Sequence, residues 1–185
     1  MLKRLMIVAA LGLAACAPPP ERLAMAPLTS DLELRPLVGS VMVRPVTLPT
    51  YAALEEIAFE TPNGLIASNA DILWADDQQR AVTLTVTRNL ADILNTNVVP
   101  EPWPFVGLPD VAVDVQVERI LAGADGNFQL TGQFYVGGDG IDFRNSSQAF
   151  AIAKPMADQS LGSIATAQAA ALLDLSEQIA RTLGR

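Results

Sequence analysis

The stretch from Asp110 to Ala153 restricts the fold of this chain more than any other. Val111, Val113, Val115 and Val117 alternate with Ala112, Asp114, Gln116 and Glu118. Successive side chains of a strand point to opposite faces, so this period of two predicts a strand with one apolar and one polar face. "GADGN" then reads as a hairpin turn. "FQLTGQFYV" returns with Phe128, Leu130 and Phe134 again in period two. "GGDG" turns once more, and "IDFRNSSQAFAIA" completes an antiparallel meander. A sheet with one greasy face needs a cover. Residues 161–183 supply one: Leu161, Ile164, Ala165, Leu172, Leu175, Ile179 and Leu183 form a continuous helical stripe, with Ser160 as cap and Gly184 as stop.

Residues 78–95, "QQRAVTLTVTRNLADILN", carry both periods. Val82, Leu84 and Val86 alternate with threonines, yet Val82, Val86, Leu90, Ile93 and Leu94 share a helical face. Eighteen residues without Gly or Pro suit a helix better than a strand. Asp76 or Asp77 would cap it. Before it, short strands are expected at "DLELRP" (31–36), from Ser40 to about Val46, and in "EEIAFE" closing on a Pro62-Asn63-Gly64 turn, with "LIAS" a candidate to pair back across it. "VVPEPWPF" reads as a proline-broken loop presenting Trp103 and Phe105. The fold class expected is α+β, in mixed α/β layers: a mixed, largely antiparallel sheet with two main helices packed on it.

The N-terminus carries a different message. Lys3 and Arg4 precede a nine-residue apolar run, Leu5 to Leu13, then Ala14, Ala15 and the single cysteine, Cys16. That is the layout of a secretory signal peptide, and the run is too short for a membrane span of about 20 residues. A cysteine after Leu-Ala-Ala resembles the bacterial lipobox, in which the thiol is diacylated, the leader is cut before it, and the new N-terminus is acylated. Each buried acyl CH₂ contributes ~0.8 kcal/mol, so such a product is anchored to a membrane without spanning it. Residues 1–15 are read as signal peptide, 16–30 as lipidated cysteine and proline-rich tether, and 31–185 as one domain. Ala17 stands where an Asp usually retains lipoproteins at the inner membrane. The expected location is therefore the periplasmic face of the outer membrane.

Composition narrows the chemistry. The chain has no histidine, which removes the commonest general base and metal ligand. Acylation of Cys16 removes the one thiol. Without Lys3 and Arg4, 10 basic residues face 20 acidic ones, a balance that repels nucleic acid and anionic lipid headgroups. No phosphate loop, nucleotide fingerprint or G-x-S-x-G elbow occurs. "GGDGID" matches the opening of a calcium-binding nonapeptide, but one copy completes no cage. The Asp76–Asp77 and Asp139–Asp142 pairs sit where Asp serves caps and turns. No enzyme, metal or cofactor is expected. Trp74, Trp103 and Phe105 are the candidate partner or lipid contacts. Trp74 reads more readily as a core cap beside the first helix, and for the other two packing and contact stand level.

In order and spacing the mature chain resembles the PqiC (YmbA-type) ABC-transport auxiliary lipoproteins, from about Leu32 to Leu183. "LELRP", "VMVRPVTLPTY", "TPNGLIASNADILWADD", "VTRNLADILNTNVVPEPW", the valine-rich strand, "GNFQLTGQFYV" and "LSEQIARTL" stand in the family's sequence of elements. It departs at Leu73, where the family usually has Arg, near Asp77, where Pro is expected, and in the strand before Pro62, which lacks a usual Arg. The resemblance implies a sheet and helices similar to the N-terminal domain of TolB, and no catalysis. It also implies an MCE-domain partner with an inner-membrane transporter, movement of lipid between membranes, and a possible homo-oligomer. Two other readings compete: a free-standing lipid or small-molecule carrier, which needs an apolar cavity, and a structural lipoprotein binding the cell wall.

Overall fold

The computed structural model describes residues 19–138 and 143–185. Cys16 with its leader, and Asp139 and Asp142, lie outside the described residues. The elements are β1 (Glu21–Leu23), β2 (Ser40–Val43), a 3₁₀ turn (Thr50–Ala52), β3 (Glu56–Glu60), β4 (Ile66–Trp74), α1 (Gln78–Leu94), β5 (Asn97–Pro100), β6 (Val111–Ala122), β7 (Asn127–Gly138), β8 (Ser146–Pro155) and α2 (Leu161–Leu183).

The meander read from the period-two pattern is β6-β7-β8, antiparallel throughout. Its valines are where the alternation puts them: Val111, Val113, Val115 and Val117 are buried, while Asp114 and Gln116 face the other side. The second long edge of β6 is shared. β2 runs parallel to its first residues and β3 meets its last, Phe59 beside Ala122. Between them the chain bridges the edge at Thr47, which donates to Val115 and accepts from Val117, both at 2.9 Å. β5 lies outside β2, β4 outside β3, and β1 outside β4, so one mixed eight-stranded sheet results.

Both helices cover the valine face, as an α+β layer fold requires. α1 is helical along the length whose pattern was ambiguous, with Val82, Val86, Leu90, Ile93 and Leu94 buried. Its strand-like threonines are reconciled with a helix by their hydroxyls. Thr83 donates to the carbonyl of Gln79 (2.7 Å) and Thr87 to that of Thr83 (2.8 Å). Asp77 caps its start by accepting from the Arg80 amide at 2.8 Å, and Asn95 ends it in the left-handed region, φ 46°. Ser160 caps α2 as expected.

Four expectations need correction. The segment 16–30, read as a structureless tether, contains β1, whose residues pair with Ile72, Leu73 and Trp74. An outer strand edge accepts any extended segment, whatever its side-chain period, so composition could not reveal this pairing. The folded part thus starts near Glu21, ahead of the expected boundary at 31. "DLELRP" is extended but is no strand. Its backbone bonds go to the ends of the two helices: Leu34 donates to Ile93 in the last turn of α1, and Arg35 exchanges two bonds with Arg185, just beyond α2. Val98 to Pro100, read as loop, form the edge strand β5, where a proline is tolerated. Finally, β2 stops at Val43, because Pro45 has no N–H to continue the ladder.

Candidate functional site

The segment 101–110 joins β5 to β6 and cannot join the sheet itself. Pro102, Pro104 and Pro109 remove three donors. It is nonetheless pinned at both ends. Glu101 donates its amide to the Val43 carbonyl at 2.8 Å. At the other end the Asp110 carboxylate accepts from the Gly39 and Ser40 amides (2.7 and 3.0 Å), while the Asp110 amide donates to the Ser40 hydroxyl at 3.0 Å. Gly107 turns the loop with φ +89°, a conformation other residues adopt only with strain.

Between these pins the loop carries an apolar knuckle. Trp103 is half-buried and packs edge-on against Phe105, ring centroids 5.1 Å apart at 75°. Its indole N–H is enclosed with no acceptor among the described residues. Phe105 is 54% exposed, Leu108 71%, and Val106 is fully open to solvent. Together Phe105, Val106 and Leu108 form an exposed apolar patch on a loop held at both ends. The proline signal located the loop, and Trp103 and Phe105 were legible as its aromatics. Val106 and Leu108 follow no helical or strand period, and only their exposure identifies them.

The loop also walls a groove of about 590 Å³ on the sheet face away from the helices. Leu108 and Pro109 form the wall. Ala112, Asp114 and Gln116 of β6, with Tyr135 of β7, form the floor. Arg44 and Asp114 meet across it at 3.5 Å, and the Tyr135 hydroxyl donates to Gln133 at 2.9 Å. A shallow groove with an ion pair suits a peptide or polar surface better than an acyl chain, because burying that pair under hydrocarbon would strip its solvation.

Trp74 stands apart from this loop. It is 5% exposed, at the end of β4 beside β1 and the start of α1, with its carbonyl accepting from Arg22 at 2.9 Å. Its ring belongs to the core, so it is not available as a surface contact. Asp76 and Asp77 serve the start of α1: Asp76 pairs with the Arg80 guanidinium and Asp77 caps the helix. Among the described residues no three His, Cys, Asp or Glu side chains converge to hold a metal ion. Nor is any described helix long and apolar enough to cross a membrane.

Residues 23–180 match the family model for the ABC-type transport auxiliary lipoprotein component. Two crystal structures share the fold. One, of an uncharacterized protein, superposes with a TM-score of 0.70 at 20% identity, covering 87% of this chain and 98% of its own. The other, a DUF330-family protein from Xanthomonas campestris, gives 0.68 at 16% identity, covering 85% and 91%. At these identities the likeness concerns the fold alone. None of the curated proteins matches this chain.

Proposed function

Since the chain belongs to the ABC-type transport auxiliary lipoprotein family, we propose that it is a non-catalytic envelope lipoprotein serving an inner-membrane ABC transporter together with an MCE-domain protein, moving lipid between membranes. In this reading Cys16 carries the lipid anchor and the domain sits on the periplasmic face of the outer membrane, in a homo-oligomer or as single copies. β1 begins at Glu21, so five residue steps separate it from Cys16. A fully extended chain reaches at most ~3.6 Å per step, so in this reading β1 starts within roughly 18 Å of the anchor. The knuckle of Trp103, Phe105, Val106 and Leu108 is the surface offered to the transporter side.

The observation that carries this reading is the family match directly behind a lipobox-like leader, joined to an apolar loop fixed at both ends. The test is mass spectrometry of what co-purifies with the full-length protein in mild detergent. Recovery of an MCE-domain protein and an ABC permease is expected, with an intact mass showing acylated Cys16. Recovery of bound lipid with no protein partner would move the assignment to a free-standing carrier. Retention on peptidoglycan alone would move it to a cell-wall lipoprotein.

A further inference from the structure

The eight-stranded sheet ends on one side at β8, which pairs with β7 and with no other strand. Its ladder fixes which backbone groups are used. Met156 donates to Gly126 at 3.0 Å, so Asn127 and Pro155 face each other as a non-hydrogen-bonded pair. The alternate pairs, from Phe128–Lys154 to Val136–Ser146, exchange the bonds with β7. Ser147, Ala149, Ala151 and Ala153 are exposed and turn their N–H and C=O groups outward, with no backbone partner among the described residues. Such edges are ordinarily blunted by a proline, a charge or a bulge. From Asn145 to Ala153 there is no charged residue and no proline, and the β7–β8 register runs without a shift.

A groove of about 720 Å³ lies at the Lys154–Pro155 end of this edge. Pro155 and Ala157 bound it on the sheet side, and Gly162, Thr166, Ala167 and Ala170 of α2 on the other. α2 puts no side chain larger than threonine into its wall, and a Cβ added at Gly162 would meet nothing within 4 Å. Lys154 does not fill it with a free charge, because its ammonium is tied to Asp174 of α2 at 2.6 Å. A strand laid along β8 would turn every second side chain to the helix side of the sheet, toward this groove.

We propose that the β8 edge and the groove beside α2 form one docking site for an extended internal segment of a different polypeptide, which pairs outside β8. The outward groups call for a backbone: Ser147, Ala149, Ala151 and Ala153 each offer an N–H and a C=O, enough to hold a segment of about eight residues. The groove calls for apolar side chains at the alternate positions that face α2. Charge narrows the occupant further. Asp158 accepts from the Ser160 amide at 2.9 Å and from the Ser163 hydroxyl at 2.6 Å, which fixes a carboxylate beside the groove at the start of α2. A free C-terminus or an acidic side chain is repelled there, and the chain's net charge of −8 adds the same bias. A second copy of β8 does not meet these demands. Its helix-side residues Phe150 and Ile152 are buried in its own core, so it brings nothing to fill the groove. The chain's own N-terminal residues join the fold at β1, on the opposite margin beyond β4, β3, β6 and β7. The site goes beyond the transport reading and does not depend on it.

The test selects random short sequences, displayed between fixed flanks, against the full chain in mild detergent. The enriched sequences should be apolar at every second position and poor in Asp and Glu. Such a sequence, synthesised with blocked ends, should slow hydrogen exchange at the Ser147, Ala149, Ala151 and Ala153 amides about tenfold or more. Ala151→Pro removes one outward N–H, leaves the bonds to β7 intact, and is expected to weaken peptide binding about tenfold, the worth of one such bond. Thr166→Trp fills the groove while keeping every backbone donor. It should weaken binding as much, and it carries the test if the proline variant does not fold. An absence of enriched sequences, enrichment without the two-residue period, or a peptide whose affinity both variants leave unchanged would overturn the site. So would protection of the Phe105 to Leu108 amides in place of those of β8. Sedimentation velocity without peptide covers the remaining occupant: a wild type that self-associates and that Ala151→Pro makes monomeric would give the edge to a second copy and overturn the proposal. Transporter co-purification is a separate readout, so failure here is distinguishable from failure of the transport reading.

Discussion

Gly132 gives the sharpest test of how the sheet is packed. It lies in β7 opposite Val117, where the β6–β7 register shifts between Val117 and Arg119. A Cβ added there would sit 2.1 Å from the Gln116 carbonyl oxygen, 2.9 Å from Phe150 Cζ and 3.0 Å from Val117 Cα. Two of these three neighbours are backbone, so no rotamer change relieves the clash. The strands must part by about an ångström, which weakens one or two ladder bonds at about 1 kcal/mol each. Displacing the Phe150 ring adds strain of ~1–2 kcal/mol. Opposing this, replacing Gly by Ala lowers unfolded-chain entropy, worth ~0.4–1 kcal/mol in favour of the fold. The net for Gly132→Ala is a loss of about 2–3 kcal/mol. At roughly 2–4 °C per kcal/mol for a chain of this size, Tm falls by about 4–12 °C. The assay is thermal unfolding followed by circular dichroism, with two controls. Gly162→Ala, in the first turn of α2 with nothing within 4 Å of the added Cβ, should raise Tm slightly. Gly137→Ala, whose nearest neighbour is 3.7 Å away, should leave it nearly unchanged. A Gly132→Ala protein melting within a degree of wild type would refute the close strand approach.

Other outcomes follow from local geometry. Asp77→Ala removes the cap of α1 and should destabilise by about 1 kcal/mol in urea titration; no change in midpoint would mean that Asp76 takes over. Hydrogen bonds from Ser160, then Ser163, hold the Asp158 carboxyl at about 2, below its ordinary 3.8. The folded state favours the ionised form, so its contribution to stability is complete above the ordinary carboxylate range and fades as pH falls toward 2. A carboxyl-carbon NMR titration should place the midpoint there, and a midpoint near 3.8 would show the cap to be open in solution. Val106→Ser with Leu108→Ser, both at exposed positions, should shift stability by no more than about 0.5 kcal/mol each. The same pair should reduce co-purification of the transporter about tenfold or more, as loss of central apolar contacts does. Retained co-purification would move the contact elsewhere on the domain.

Sequence periodicity by itself determined the parts of this protein that bury a repeating face. The β6-β7-β8 meander and α2 could be read directly, because a face packed along its whole length must repeat every second residue in a strand or every three to four in a helix. α1 was decided by length against its threonines, and its hydroxyl bonds to the preceding turn show why that preference was overridden. The proposed leader and lipidated Cys16 rest on sequence pattern alone. Only the tertiary structure decided the rest. β1 and β5 hold short backbone ladders at the sheet's margins, where no side-chain period is imposed. Trp74 and Trp103 are the same residue type, yet one lies beside β1 with its ring in the core and the other on a proline loop, a difference made by neighbours more than 50 residues distant at Arg22 and at Val43. The knuckle and the free edge of β8 are properties of what remains uncovered once the chain has packed. A residue's own sequence can state that it is apolar or that it can hydrogen-bond, but whether that capacity is already used depends on which segments fold beside it.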